Sequence, residues 1–521
     1  MANNNFVTEK SKLIPLKQES GKFQASINRF IKSGKELARS LGFLHMFSYI
    51  VGILFGSGVF ISPSFVAKQT TNMGMALIIW IGAGVICVFG ALCFCELAAA
   101  IKKSGGEYIF IKETYGDAAA FLTLWAQTLV VTPSALSVLA VTIAEYLLGP
   151  FYDITSSSGI WLVKLIALLF LFIAAIINSL SVSCIAKSQV FFTVIQVISV
   201  LFLIVLGIWK ASTGHTQNYV SIFDNFGSFE LGSLSIALYN GLWAYDGWGL
   251  VCTITEELQN PERNLRLAII TGIPFVIVCY LLINLSFMSV LSHDEIANSS
   301  TVATSFVEKI LGKKVALLVP IAVALSCFSA LNASLLVCSR TLLSASREGH
   351  CPEPLSYIHA DRRTPVPAVL LFCLLALTWI IFLGAGTQSL LIYFSFAIWF
   401  TYGLAIFGVI VLRVRQPDLP RPFKVWIINP IFMTLVSLFL IIAPFLKNPL
   451  ESTICLICML LAIPFYFLAI RKKNFAPACC IKLKKRFYNF ILFRFKLVPC
   501  VYNNNKEPAL DISILTNDAQ A

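Results

Sequence analysis

Gly52-Ile53-Leu54-Phe55-Gly56-Ser57-Gly58-Val59-Phe60-Ile61 decides how this chain is read. It lies inside an apolar run from Leu41 to Val66 that is long enough to cross a bilayer. A Gly-Ser-Gly triplet is a poor choice for the middle of such a helix, because two glycines cost about 2 kcal/mol relative to alanine. Loosened backbone in hydrocarbon exposes N–H and C=O groups, which is tolerated only where they face a protein cavity or a water-filled path. Helices broken at mid-membrane, with their half-helix ends turned to a substrate, are the mark of secondary transporters. The competing reading is a close helix–helix contact through small residues. The sixth apolar segment, taken below, favours the break.

The rest of the 521 residues sets the class. The chain is 58% hydrophobic and 12% charged, with mean hydropathy +0.82, which excludes an ordinary soluble protein. Apolar runs of spanning length recur twelve times, at 43–66, 74–101, 118–148, 160–180, 188–210, 232–253, 267–291, 315–342, 366–384, 388–412, 426–446 and 451–470. The domain reading is a polar tail over 1–42, a twelve-helix membrane domain over 43–470 and a second tail over 471–521. The first forty residues are polar and basic and lack the short apolar core of a cleavable signal.

A net charge of +13 suggests nucleic acid only until the charges are placed. Of the 39 Lys and Arg, 32 fall in the two tails and in the loops that an even number of spans puts on their side; seven remain for the other side. That asymmetry is the positive-inside rule, and it predicts that both termini are cytoplasmic. It argues for a lipid bilayer as partner and against nucleic acid.

The fifteen cysteines are scattered through apolar segments without metal-ligand spacing, so no metal and no cofactor is expected. Cys479 and Cys480 are adjacent just beyond the last span and are candidates for palmitoylation, with free thiols as the plainer reading. The connection at Lys102, Lys103, Gly105, Gly106 and Glu107 has two glycines and three charges and is able to dip back into the protein. Gln189 and Gln196 are polar amides within the fifth span; the simplest role for them is an interhelical hydrogen bond. Asn298-Ser299-Ser300 is a glycosylation sequon in a loop placed outside the cell. The matching strings at Asn284 and Asn332 lie within spans and are set aside. After Ile470 a basic and aromatic stretch, from Lys482 to Lys496, suits an amphipathic helix on an anionic leaflet.

The sixth span reads Tyr239-Asn240-Gly241-Leu242-Trp243-Ala244-Tyr245-Asp246-Gly247-Trp248-Gly249. Three glycines weaken it at mid-membrane depth, and an aspartate at that depth is a functional candidate. Proline 261 and its neighbours end it. Weakened helices one and six, five spans apart, are the arrangement of a five-plus-five inverted repeat with a midplane site. Free N–H groups at Gly56 to Gly58 suit an α-carboxylate, and free carbonyls near Trp243 to Asp246 suit an α-ammonium. A site with both ends is a receptor for an amino acid.

These strings resemble the light-chain subunits of the L-type and heteromeric amino-acid transporters, within the amino acid–polyamine–organocation superfamily. The resemblance runs from about Leu41 to Lys473 and rests on six strings in order. They are Gly-Ser-Gly at 56–58, Gly-Leu-Trp-Ala-Tyr-Asp-Gly-Trp at 241–248 and Thr-Glu-Glu-Leu-Gln-Asn-Pro-Glu-Arg-Asn at 255–264. Ser-Arg-Glu-Gly-His at 346–350, Thr-Pro-Val-Pro-Ala at 364–368 and Arg-Pro-Phe-Lys-Val at 421–425 complete them. The string at 243–248 is most similar to the light chain that carries cystine, neutral and dibasic amino acids. The resemblance implies an all-α membrane protein with the bacterial leucine-transporter fold and broken helices 1 and 6. It implies sodium-independent exchange of L-amino acids at the plasma membrane, large neutral and aromatic ones first and cationic ones as an extension. It places substrate against Leu54, Gly56, Ser57, Gly58, Trp243, Ala244 and Asp246, with Trp243 as gate and Phe396, Trp399 and Gln196 as further cavity candidates.

Two departures qualify this. Family members disulfide-linked to a heavy chain carry a cysteine in the loop after span three, and residues 149–159 contain none, so no disulfide-linked heavy chain is expected. The family usually has a lysine on span five, whose ammonium occupies a place where sodium-coupled relatives bind Na⁺; Gln196 stands there instead, which weakens the expectation of sodium independence. Plainer roles remain open for single residues. Asp246 is also suited to bracing the broken helix, Trp243 to packing, and Phe396 and Trp399 to a core or lipid face. Tyr245 and Trp248 read as packing; Glu256, Glu257 and Arg263 read as a cytoplasmic salt-bridge latch. No nucleophile–base constellation or phosphate loop appears, so the chain does not read as an enzyme. The rivals to an exchanger are a cationic amino-acid or polyamine carrier of the same fold and an amino-acid sensor with little transport.

Overall fold

The computed structural model describes residues 42–471 and 497–499, apart from 102, 104, 181, 215–216, 221, 223–229, 251, 254–257, 360–361, 363 and 383–386. The tails, Cys479, Cys480, the stretch 482–496 and the Glu256–Glu257 part of the proposed latch lie outside the described residues.

The chain is helical almost throughout. Among the described residues, ten helices are long and apolar enough to cross a membrane: Phe43–Ala67, Met73–Ile101, Asp117–Leu148, Ser157–Leu180, Ser188–Ser212, Arg263–Val290, Lys313–Ser346, Ser389–Arg415, Ile428–Leu446 and Pro449–Leu468. Two of the twelve expected spans fall short of that length. The sixth forms a helix of 14 residues, Leu231–Ala244, because its glycines end it early; the ninth is a 17-residue apolar helix, Val366–Phe382.

Burial sorts these helices into inner and outer ones. The first, Phe43–Ala67, is the innermost, with 94% of its most apolar window buried; Ser157–Leu180 has only 28%. Along the latter, Trp161, Leu165, Leu169, Phe172, Ile176 and Leu180 are all exposed. They recur three or four residues apart, so they form one apolar stripe turned outward, as a lipid-facing helix requires. Phe43–Leu54 packs against Pro261–Val290 and Val182–Ser212, and Gly58–Ala67 packs against Leu231–Ala244. Beyond its exposed first residues, Phe43 and Leu44, the first helix is thus enclosed by its neighbours.

On the side that bears most of the basic loops, Glu96 is 2% exposed and is held by the guanidinium of Arg413, with Nε at 2.8 Å. It also accepts from the Val425 N–H at 2.8 Å. Arg421 donates to the carbonyls of Leu412, Gln416, Pro417 and Leu419 and so closes the C-terminal end of Thr387–Arg415. The string at 421–425 therefore ties two spans and a loop to one buried carboxylate. Leu497–Pro499 pairs antiparallel with Tyr357–His359, which brings the C-terminal stretch back to the linker before the ninth apolar segment.

Candidate functional site

The first helix is interrupted at Phe55 to Ser57, between Phe43–Leu54 and Gly58–Ala67. The sixth segment stops at Ala244 and turns through Tyr245 to Gly249, where Gly247 takes a φ of +119° that an L side chain rarely adopts. A Cβ at Gly247 would lie 2.3 Å from Ile53 Cγ2, and one at Gly58 would lie 2.3 Å from the Cα of Ala244. The two interruptions are therefore pressed together, and the glycines allow it.

Each helix that stops leaves orphaned backbone groups. The Tyr280 hydroxyl lies between the carbonyls of Leu54 and Ala244, the last residues of the two half-helices, with Ala244 O at 2.9 Å. Gln196 Nε2 meets the carbonyls of Gly52 at 3.1 Å, Phe55 at 3.3 Å and Ser326 at 3.0 Å. At the other end of the break, Phe60 and Ile61 donate to Ser57 O, while the N–H groups of Ser57, Gly58 and Val59 have no backbone acceptor among the described bonds. Three donors at a helix N-terminus suit an anion such as a carboxylate. The sixth-segment carbonyls are more engaged than the sequence suggests. Leu242 O and Trp243 O accept from the Tyr245 and Asp246 N–H groups, and Ala244 O accepts from Tyr280. Each carbonyl keeps a second lone pair for an ammonium.

A small cavity, about 50 Å³, opens at the junction. Leu54, Gly56, Ser57, Gly58, Trp243 and Asp246 line it together, and Ala244 backs it through its contact with Gly58. Ordinary ligand pockets are about 300–1,000 Å³, so this is a contracted state of the site. Trp243 contracts it: its indole N–H donates to Ser57 Oγ at 3.1 Å, and its ring meets Phe394 edge-on at 4.7 Å. The indole bridges both interruptions and the helix Thr387–Arg415. The half-buried Asp246 accepts from the Tyr402 hydroxyl at 2.9 Å through Oδ1.

Three expected cavity residues lie elsewhere. Phe396 is fully buried against Phe445, Trp399 packs on Tyr402, and Gln196 serves the backbone of the break from outside. The same helix supplies Phe394, Ile398 and Tyr402 in their place. Those three recur at four-residue spacing and share one face. Tyr245 and Trp248 are packed among Trp80, Tyr280, Phe94 and Tyr402, as their plainer reading has it. Sequence reading missed Tyr280 and Gln127. Gln127 opens a π-helical turn, Gln127–Val131, that swings its amide to the cavity wall. A proline six residues on, Pro133, is the one visible hint of that irregularity.

A multi-pass helical membrane protein, with a central cavity where two interrupted segments meet, is the class that this architecture defines. The amino acid permease family profile matches residues 41–470, and the chain belongs to that family. It is 41% identical to the human b(0,+)-type amino acid transporter 1 over 438 residues, 84% of this chain and 89% of that protein. It is 38% identical to the human cystine/glutamate transporter over 435 residues, 84% of this chain and 86% of that protein. It is 37% identical to the mouse large neutral amino acids transporter small subunit 2 over 450 residues, 86% of this chain and 83% of that protein. The protein is an amino acid transporter of this light-chain family.

Proposed function

We propose that the protein exchanges L-amino acids across the plasma membrane without sodium, with twelve crossings in a five-plus-five inverted repeat and both termini in the cytoplasm. The observation that carries this is the junction itself: N–H groups of Ser57 and Gly58 without a backbone acceptor, the carbonyl of Trp243, and Asp246, all residues of one cavity under the Trp243 indole. The α-carboxylate takes the N–H groups, the α-ammonium takes the carbonyls of the sixth segment, and the side chain reaches toward Phe394 and Ile398. Large neutral and aromatic substrates fit that apolar wall, and Asp246 gives a second cation a partner. Purified protein in proteoliposomes should carry radiolabelled leucine, with phenylalanine and arginine as competitors. Leucine binding without flux would make it a sensor, and lysine or polyamine flux that leucine does not inhibit would make it a cationic carrier.

Gln196, standing where the family has a lysine, is the residue on which sodium independence must be tested. Its two amide protons are shared among the carbonyls of Gly52 and Phe55 at the break and of Ser326 on the helix Val319–Arg347, acceptors that a cation would otherwise find open. Gln196→Leu strands those acceptors, at about 1–3 kcal/mol for a buried polar group left unpaired. Uptake by the variant should fall about tenfold or more, while wild-type uptake is equal in sodium and in choline. A wild-type requirement for sodium would overturn this assignment.

Asn298 is exposed at the end of the helix His293–Asn298, capped at its start by Ser292 and Glu295, and is the glycan site of this reading. Asn284 and Asn332 are buried within helices and bond to Tyr280 O and Phe328 O. On non-reducing gels the protein should run near its 57.5 kDa monomer plus one glycan, and Asn298→Gln should remove the glycan. A thiol-sensitive heterodimer would contradict the expectation that no heavy chain is disulfide-linked.

A further inference from the structure

A second carboxylate lies beneath the cavity. Glu107, in the first turn of Gly106–Tyr115, is 3% exposed and makes no ion pair among the described residues. Its Oε2 is 2.9 Å from Thr401 Oγ1, and Thr401 precedes the tyrosine that holds Asp246. The Thr401 hydroxyl is also 3.0 Å from Ile398 O, three residues back in its own helix. A hydroxyl has one proton. Threonine within a helix gives it to the carbonyl three or four residues back. The Thr401 oxygen is then an acceptor, and only a protonated Glu107 completes the contact with it.

The Gln127 amide, 5% exposed and lining the cavity, lies beside the Glu107 carboxyl and brings it no charge. Among the described residues, the titratable groups that face Glu107 are Asp246, Tyr402, Cys252 and Cys338, none of them a cation. The nearby cations are engaged elsewhere: Lys112 with Glu348, Arg413 with Glu96, and Arg340 through Nη1 with Leu336 O.

We propose that Glu107 is a proton-binding site under the transport cavity, protonated in this contracted state and ionised when its floor opens to the cytoplasm. On opening, the Glu107 O–H bond breaks and the proton passes to cytoplasmic water; on closing, one proton is taken back. Flux and cytoplasmic pH are thereby linked. Burial pushes the Glu107 carboxyl up to about 8. The contracted state therefore binds one proton more than the open one between about pH 4.3, the ordinary glutamate value, and about pH 8. Across that window its population relative to the open state falls by up to about tenfold per pH unit, and it levels off above it.

The flux arm of the test rests on the transport reading above. Exchange by wild-type proteoliposomes, at fixed external pH, should fall as internal pH is raised through that window, and in Glu107→Gln it should not depend on internal pH. A wild-type rate indifferent to internal pH, or a Glu107→Gln profile like the wild type, overturns the proposal. Infrared spectra of the purified protein give a readout that needs no flux. Wild type should show a protonated carboxyl band at neutral pH that is missing in Glu107→Gln, and no such difference overturns the proposal. Absent flux with the band present would refute the transport reading and leave the proton site standing. Thr401→Ala should shift the band's titration to lower pH, because it deletes the acceptor of the Glu107 proton. A shift to higher pH would mean that Thr401 donates to an ionised Glu107, and the proposal would fail.

Discussion

Gly58→Val should abolish uptake of every L-amino acid tested, neutral and cationic alike. A β-branched side chain would reach the place where the Ser57, Gly58 and Val59 N–H groups meet a carboxylate. The structure adds a second and stronger reason. The first carbon of any side chain at 58 would sit 2.3 Å from Ala244 Cα and 2.7 Å from its Cβ, so the sixth-segment backbone itself must retreat. Overpacking a core costs about 1–3 kcal/mol even where side chains can yield, and backbone yields less. A loss of about 3 kcal/mol is more than a hundredfold in an equilibrium. Gly58→Ala, with the same first carbon and less bulk, should be intermediate. Surface labelling must accompany the uptake assay, since most of the protein should still reach the membrane. Wild-type uptake by a well-expressed Gly58→Val would remove the first helix from the site.

Asp246→Asn should weaken arginine and lysine more than leucine or phenylalanine. The carboxylate faces the cavity and is also held by Tyr402, so it stands ready for a cation while being fixed in direction. Every amino acid brings one ammonium, but only a dibasic substrate brings a second charge to Asp246. Losing that charge-assisted contact costs about 1.5–3 kcal/mol, or about ten- to hundredfold in apparent affinity. Asparagine keeps an acceptor for the Tyr402 hydroxyl, so the local backbone should hold. Competition curves for leucine, phenylalanine and arginine on the same variant decide the matter. Equal losses would mean that Asp246 only braces the turn.

The positions where regular helix fails were legible because they violate a local rule. Gly56, Ser57 and Gly58, and then Gly241, Gly247 and Gly249, are wrong for a helix in hydrocarbon, and two such violations five segments apart have few explanations. Asp246 stood out for the same reason. The groups that answer those violations were harder to find. Tyr280, which shares one proton between the ends of both half-helices, looks like any aromatic in an apolar span until its hydroxyl is seen between Leu54 O and Ala244 O. Gln196 is polar enough to notice, but its three carbonyl partners come from two other segments.

The face of the helix Thr387–Arg415 was illegible for a different reason. It is apolar on nearly all sides, so periodicity does not fix its phase. Phe396 and Trp399 were the bulky candidates, whereas Phe394, Ile398 and Tyr402 are the residues turned to the cavity. Glu107 was visible as a charge in a glycine-bearing connection, but nothing local says that the connection folds inward onto Thr401. At 232–253 and 366–384 the apolar runs are longer than the helices they form, which are 14 and 17 residues, so run length alone overstates those two helices.

Loaded and empty proteoliposomes give the most direct test of exchange at the junction of the two interrupted segments. Radiolabelled leucine should enter vesicles preloaded with an unlabelled L-amino acid far faster than empty ones, equally in sodium and choline. Uptake that is indifferent to internal amino acid, or that appears only in sodium, would contradict the account.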